Sequence, residues 1–131
     1  MVKLLRGYFS PAALRAFRKD YEGAIIKAES IDISRGSGGR RHYRKVTRGQ
    51  QLMLNGALEG PTPKRVVEFD GDLTPLRISG TVYFVALTSG SIDFNGLSTL
   101  EEGDLLVLND KTYGQYTPSA CYLNGSVFLL A

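Results

Sequence analysis

One cysteine, Cys121, and one histidine, His42, are all that the 131 residues contain of these two types. A single thiol cannot form a disulfide within the chain, and a thiolate metal cluster would have to borrow ligands from other chains. The shortage also fits a reducing compartment. Long apolar runs are missing too, since none approaches the roughly 18 residues needed to span a bilayer. The opening Met1-Val2-Lys3-Leu4-Leu5-Arg6 is too short and too early interrupted for a signal peptide. The cytoplasm is therefore the expected location, with no membrane partner.

What is present is glycine and uneven charge. Fifteen glycines and five prolines separate short apolar runs, the pattern of an all-β chain with frequent tight turns. At 43% hydrophobic and 22% charged residues the composition is that of an ordinary globular protein, and the length suits one domain over residues 1–131. The net charge of +3 is unevenly distributed: residues 35–48 hold six of the 16 Lys and Arg and none of the 13 Asp and Glu. Without that segment the chain is mildly acidic.

Along the chain, Ser10-Pro11-Ala12-Ala13-Leu14 predicts a helix start. A serine cap accepts an orphan amide, and proline at the first helical position loses no bond. Leu14, Phe17 and Tyr21 then share a face, and the N-terminal helical segment closes by Gly23. Ile31 and Ile33 alternate with polar residues, so Ala24 to Ser34 reads as a strand. Residues 35–48 read as a mobile Gly-rich loop, 36–40 above all, running into a strand. Gln50 to Leu58 is a short apolar segment, and Gly60-Pro61-Thr62-Pro63 is a turn. Val66–Phe69 and Leu76–Ile78 are short strands, and Thr81–Leu87, apolar on both faces, is a strand buried inside a barrel or sandwich. Asn95-Gly96 marks a hairpin, Asp104–Leu108 a further strand, Thr112–Thr117 a Tyr-rich strand, and Asn124-Gly125 the break in a final strand pair.

The stretch Val82-Tyr-Phe-Val-Ala-Leu-Thr-Ser-Gly-Ser-Ile-Asp-Phe-Asn-Gly96, followed by Leu100-Glu-Glu-Gly-Asp-Leu-Leu-Val-Leu108, resembles the cupin superfamily. The likeness lies in the order of a buried strand, a small-residue turn at Ser89-Gly90, a hairpin at Asn95-Gly96, and a Gly-Asp pair at Gly103-Asp104 opening the next strand. It covers about residues 76 to 130 and is nearest to two metal-poor branches, the HutD/Ves-type cupins and the ligand-sensing domains of AraC-type regulators. The resemblance implies a mainly β fold, a cupin-like β-barrel or jelly roll with one short N-terminal helix. The metal-binding branch carries a His-x-His, a Glu and a later His, none of which is present here, so no metal cofactor is expected.

Several residues invite chemical readings. His42 has the pKa range of a general base, but no acid neighbours it in sequence and an exposed loop histidine is the favoured reading. Cys121, between Ala120 and Tyr122, reads as a small strand hydrophobe rather than a nucleophile. Tyr43, Tyr83, Tyr113, Tyr116 and Tyr122 lie on expected strands, where tyrosine either lines a small-ligand pocket or is simply a good strand former. Only one of Tyr113 and Tyr116 can line a pocket, since in a regular strand they face opposite ways. The basic segment has three readings: a carboxylate or phosphate clamp through Arg40, Arg41, Arg44 or Arg48, a nucleic-acid contact, or a solvated loop.

Together these make a small polar or anionic molecule the expected ligand, with Arg41, Tyr43, Arg44, Arg48, Tyr83 and Tyr116 as candidate binding residues. The chain leans away from catalysis, since no His and Asp pair can be located. The alternative partner is nucleic acid through residues 35–48. A homodimer is expected from the apolar segment around Tyr8, Phe9 and Leu14 and from open sheet edges. Elemental analysis of untagged protein is expected to return no stoichiometric transition metal; one metal per chain would refute the metal-free reading.

Overall fold

The computed structural model describes residues 3–21, 33–34, 40–58, 62–70, 74–78, 81–93, 97–109 and 121–130. In chain order the elements are β1 (Lys3–Leu5), α1 (Pro11–Tyr21), β2 (Ile33–Ser34), β3 (Arg40–Lys45), α2 (Arg48–Met53), β4 (Arg65–Asp70), β5 (Thr74–Ile78), β6 (Thr81–Ala86), β7 (Gly90–Asp93), β8 (Leu97–Leu100), β9 (Leu105–Asn109), β10 (Cys121–Asn124) and β11 (Val127–Leu130). A six-stranded sheet runs in the order β1-β9-β6-β11-β4-β3 and a five-stranded one in the order β2-β5-β10-β7-β8. Every ladder is antiparallel.

The mainly β expectation is met. Among the described residues, however, no ladder joins the two sheets, so they form a stack rather than a closed barrel. Among the described residues the chain crosses between the sheets at 87–89, 101–104 and 125–126. Two of these crossings are bonded to one another, with the Leu87 amide donating to the Ser126 carbonyl at 2.8 Å and the Ser126 amide to Thr88 Oγ1 at 3.0 Å. Backbone passes so close there that a Cβ on Gly90 would lie 2.0 Å from the Asn124 carbonyl oxygen. The expected final strand pair is thereby corrected: β10 and β11 flank Asn124-Gly125 but belong to different sheets, because this turn is a crossing and not a hairpin.

Strand β6 is buried from Val82 to Ala86, as its two-faced apolar sequence requires. Its odd positions, Tyr83 and Val85, join Leu105, Val107, Phe128, Leu130 and Val66 in one cluster with Phe9, Leu14 and Phe17. The register explains this, since Tyr83 pairs with both Val107 and Leu130, and Val85 with both Leu105 and Phe128. Its even positions, with Leu106, Leu108 and Val127, are equally buried on the opposite face, as are Ile92 and Leu100 of the second sheet. The six-stranded sheet is thus the middle layer, with helices on one face and the other sheet on its second.

Helix α1 starts as its sequence dictates, the Ala13 amide donating to Ser10 Oγ at 3.2 Å and Pro11 standing first. Leu14 and Phe17 are buried, and rings link Tyr8 to Phe9, Phe9 to Phe17 and Phe17 to Phe128 at centroid separations of 5.0, 5.2 and 5.7 Å. Each such contact adds about 0.5–1.5 kcal/mol beyond the area it buries. The expectation of a single helix is corrected by α2. Thr47 and Gln50 form a capping box, each side chain bonding the other's amide, which stops the strand at Lys45 and starts a helix at Arg48.

Segment 6–9 is fastened to the turn before β9. Asp104 Oδ1 accepts from the Gly7 amide at 2.8 Å, and Oδ2 accepts from the Glu101 amide at 2.9 Å and from Arg6 Nη1 at 2.7 Å. Burial by itself raises the pKa of Asp104. The Gly7 and Glu101 amides and the Arg6 guanidinium outweigh that and hold the carboxyl below its usual 3.8. Beside it, the Phe9 amide donates to the Gly103 carbonyl at 2.9 Å. Gly103 sits at φ +90, where a Cβ would meet the Phe9 carbonyl oxygen at 2.4 Å.

Two outcomes follow from this junction. Gly103→Ala should lose at least about 2 kcal/mol in urea unfolding, since it adds a left-handed-region penalty to a backbone clash. Asp104→Asn should lose about 1.5–3 kcal/mol at neutral pH, the range for hydrogen bonds to a charged group. A carboxyl with a depressed native pKa stabilises fully above its unfolded value of about 3.9 and loses that contribution as pH falls through the native value. The gap between Asp104→Asn and wild type should therefore narrow as the pH falls below the usual carboxylate range and through the depressed native value. A gap that stays constant through the acid range would show that the charge of Asp104 plays no part.

Candidate functional site

The capping box presents two sides of α2 differently. Gln50 and Leu54, one turn apart, face inward and are fully buried. Gln50 Nε2 donates to the Phe17 carbonyl at 3.3 Å while its Oε1 accepts from the Thr47 amide at 3.0 Å, so one buried amide ties α2 to α1. Tyr8 Oη donates to the Met53 carbonyl at 2.9 Å and fastens the other end. Arg48 and Leu52, also one turn apart, lie on the outer side, both exposed, with Leu52 at 63%.

Outside this stripe lies an open cavity of about 330 Å³, lined by Arg48, Gln51, Leu52, Leu58 and Thr62. Its volume is at the lower end of the range for small-molecule sites. The described lining offers one cation, an amide, a hydroxyl and two leucines, a set that can hold a small anion carrying an apolar part. Because α2 is anchored at both ends, Arg48 and Leu52 are presented from a fixed base.

Of the candidate residues whose side chains are described, Arg48 and Tyr83, it is Arg48 that lines this cavity. Tyr83 does not; it is fully buried in the cluster beneath the helices, within the stretch of β6 that is buried from Val82 to Ala86. Arg41, Tyr43 and Arg44 belong to β3, where the backbone register pairs them with Phe69, Val67 and Val66. Pairing alternates faces along a strand, so Arg41 and Tyr43 take positions on the face of Val127, and Arg44 on that of Val66 and Leu130. Tyr116 lies outside the described residues, as do the Tyr-rich stretch 112–117, positions 36–39 and most of the strand expected at 24–34. Arg40, included in the expected mobile stretch, is the first residue of β3.

His42 is corrected from a loop residue to a strand residue. It pairs across β3 and β4 with Glu68, an acid 26 positions away that no local reading could supply. Cys121 opens β10, paired with Leu76. Among the described residues no group of three or more His, Cys, Asp or Glu is placed to hold a metal, and no helix is long and apolar enough to cross a membrane. What sequence reasoning missed were Gln51, Leu52, Leu58 and Thr62. The spacing Thr47-x-x-Gln50 was the available signal, because a capping box predicts a helix whose outer stripe begins at Arg48.

No family model, curated protein or solved structure matches this chain. The case for the site therefore rests on its own geometry.

Thr47→Ala should cost about 1 kcal/mol, the usual value of an N-cap hydroxyl. Arg48→Ala, on the exposed side of the same helix, should change stability by less than about 0.5 kcal/mol. Thermal unfolding of both variants checks the contrast, and equal losses would show that Arg48 has a structural role.

Proposed function

We propose that this chain is a metal-free, cupin-like module that binds a small polar or anionic molecule, and that the cavity at Arg48 is where it does so. The observation that carries the reading is the cavity itself, with an exposed guanidinium, two polar side chains and two leucines on one open wall. The cupin-like part draws support from the stack of antiparallel sheets linked by short crossings and from the Gly103-Asp104 pair leading into β9. An interior site between the sheets has less support. The described positions facing that space, Val82, Phe84, Ala86, Leu106 and Leu108, are apolar and buried.

A specific observation keeps the nucleic-acid alternative in view. Lys45 is directly opposite Arg65 across β3 and β4, and Lys45, Arg48 and Lys64 are exposed. Phosphate contacts of that kind give an affinity that falls steeply with salt and is shared by many sequences.

The homodimer, too, is a proposal, and its two motives fare differently. Phe9 and Leu14 are buried in the chain's own core, and Tyr8 is half-buried on Met53, so this segment offers little to a partner. The edges of the sheets are left to support it.

The deciding measurement is a thermal-shift and calorimetric panel of small carboxylates, sulfates and phosphates. A ligand at about a hundred times its dissociation constant stabilises by about 2.7 kcal/mol. Arg48→Ala should weaken binding by about 1.5–3 kcal/mol, while Arg41→Ala, at a β3 position on the sheet face away from the helices, should change it little. If no small anion stabilises the protein and both substitutions reduce RNA or DNA affinity equally, the small-ligand reading fails.

A further inference from the structure

The pairing of β3 with β4 is electrically uneven. At one end the backbone register places Arg40 opposite Asp70 and His42 opposite Glu68, so basic and acidic positions alternate across the ladder. At the other end Lys45 stands opposite Arg65, a like-charge pair that works against the sheet. The Val46 amide donates to the Lys64 carbonyl at 2.9 Å, bringing exposed Lys64 beside the segment that leads into Arg48. Lys64 is also two residues beyond Thr62, which lines the cavity. Among the described residues no carboxylate forms an ion pair with Lys45, Arg48 or Lys64. Positive charge has been gathered where nothing in the described part of the fold balances it, and the cavity opens beside it.

We infer that the cavity takes an organic phosphate monoester with an apolar body, the phosphate held by Arg48, Lys64 and the Thr62 hydroxyl and the body lying on Leu52 and Leu58. This rests on the small-anion reading above and narrows it. A phosphate monoester carries nearly two negative charges near neutral pH and three acceptor oxygens. A carboxylate brings one charge and two oxygens, which leaves more of this field uncompensated. Guanidinium and ammonium groups both suit phosphate, the first as a fork and the second as a point charge. The apolar half of the site follows from helix geometry, since Leu52 is one turn from Arg48 and exposed with no described neighbour covering it. Leu58 adds a half-buried apolar wall continuous with the core.

The test is calorimetric titration of the full chain with hexyl phosphate, hexanoate and inorganic phosphate, with a sedimentation arm using phosphatidylcholine vesicles with and without phosphatidic acid. Hexyl phosphate should bind about tenfold or more tighter than either hexanoate or inorganic phosphate. Arg48→Ala and Lys64→Ala should each weaken it by about tenfold. Leu52→Ser should weaken hexyl phosphate by roughly threefold or more and leave inorganic phosphate unchanged, because it removes apolar contact alone. Binding of hexyl phosphate without sedimentation assigns a soluble ester. Sedimentation with phosphatidic acid that Arg48→Ala abolishes assigns a lipid headgroup of the same chemistry. Hexanoate binding as tightly as hexyl phosphate overturns the phosphate assignment and leaves the small-anion reading intact. Failure of all three ligands and of the vesicles overturns both.

Discussion

The junction of Gly103 and Asp104 with segment 6–9 is the constraint on which most of this fold depends. One carboxylate satisfies two backbone amides and a guanidinium, and the neighbouring glycine accepts from Phe9 where no other residue would leave room. That junction holds the short β1 against β9 and aims Phe9 at Phe17, from which the rings continue to Phe128 in the sheet. Backbone bonds extend it further, since Gly103 donates to the Ala86 carbonyl and Ala86 to that of Asp104, each at 2.9 Å. The N-terminal segment, the helix layer and the central strands thus meet at one loop. Arg6 is half-exposed, so its ion pair adds little by itself. The two part-buried amide bonds to the buried carboxylate carry the greater part, because removing the acceptor would leave both amides without it.

From this junction, support passes to α2 through three contacts of different kinds. Tyr8, next to Phe9, bonds the Met53 carbonyl; Gln50 bonds the Phe17 carbonyl; and Leu54 and Ala57 are buried in the shared cluster. The inner side of the helix is therefore fully occupied with holding position. Its outer side, Arg48 and Leu52, contributes nothing to that anchoring and is free to be chosen for another purpose. This separation is the physical ground for looking for function there.

The basic segment illustrates how a single composition can resolve into distinct structural roles. Read linearly, residues 35–48 are one charged stretch. In the fold, the positions of Arg40 and His42 register with those of Asp70 and Glu68, Lys45 registers with Arg65, and Arg48 has passed onto a helix beyond the capping threonine. Neighbours in sequence thus take different places in the fold according to the element and register that each enters.

Local chemistry legible in the sequence determined a good deal: the serine cap and proline of α1, the two-faced burial of β6, the antiparallel pairing of β7 with β8, and the strand placements of β4, β9 and β11. Each is set by residues within a few positions, where capping, alternation and turn propensity act. The tertiary structure alone decided which strands share a sheet, that Asn124-Gly125 is a crossing, that Tyr83 belongs to the core, that His42 meets Glu68, and that Arg48 shares a cavity with Thr62. Those facts depend on pairings between segments remote in sequence, and a strand's own residues specify that it will pair and which face is apolar, but not with whom.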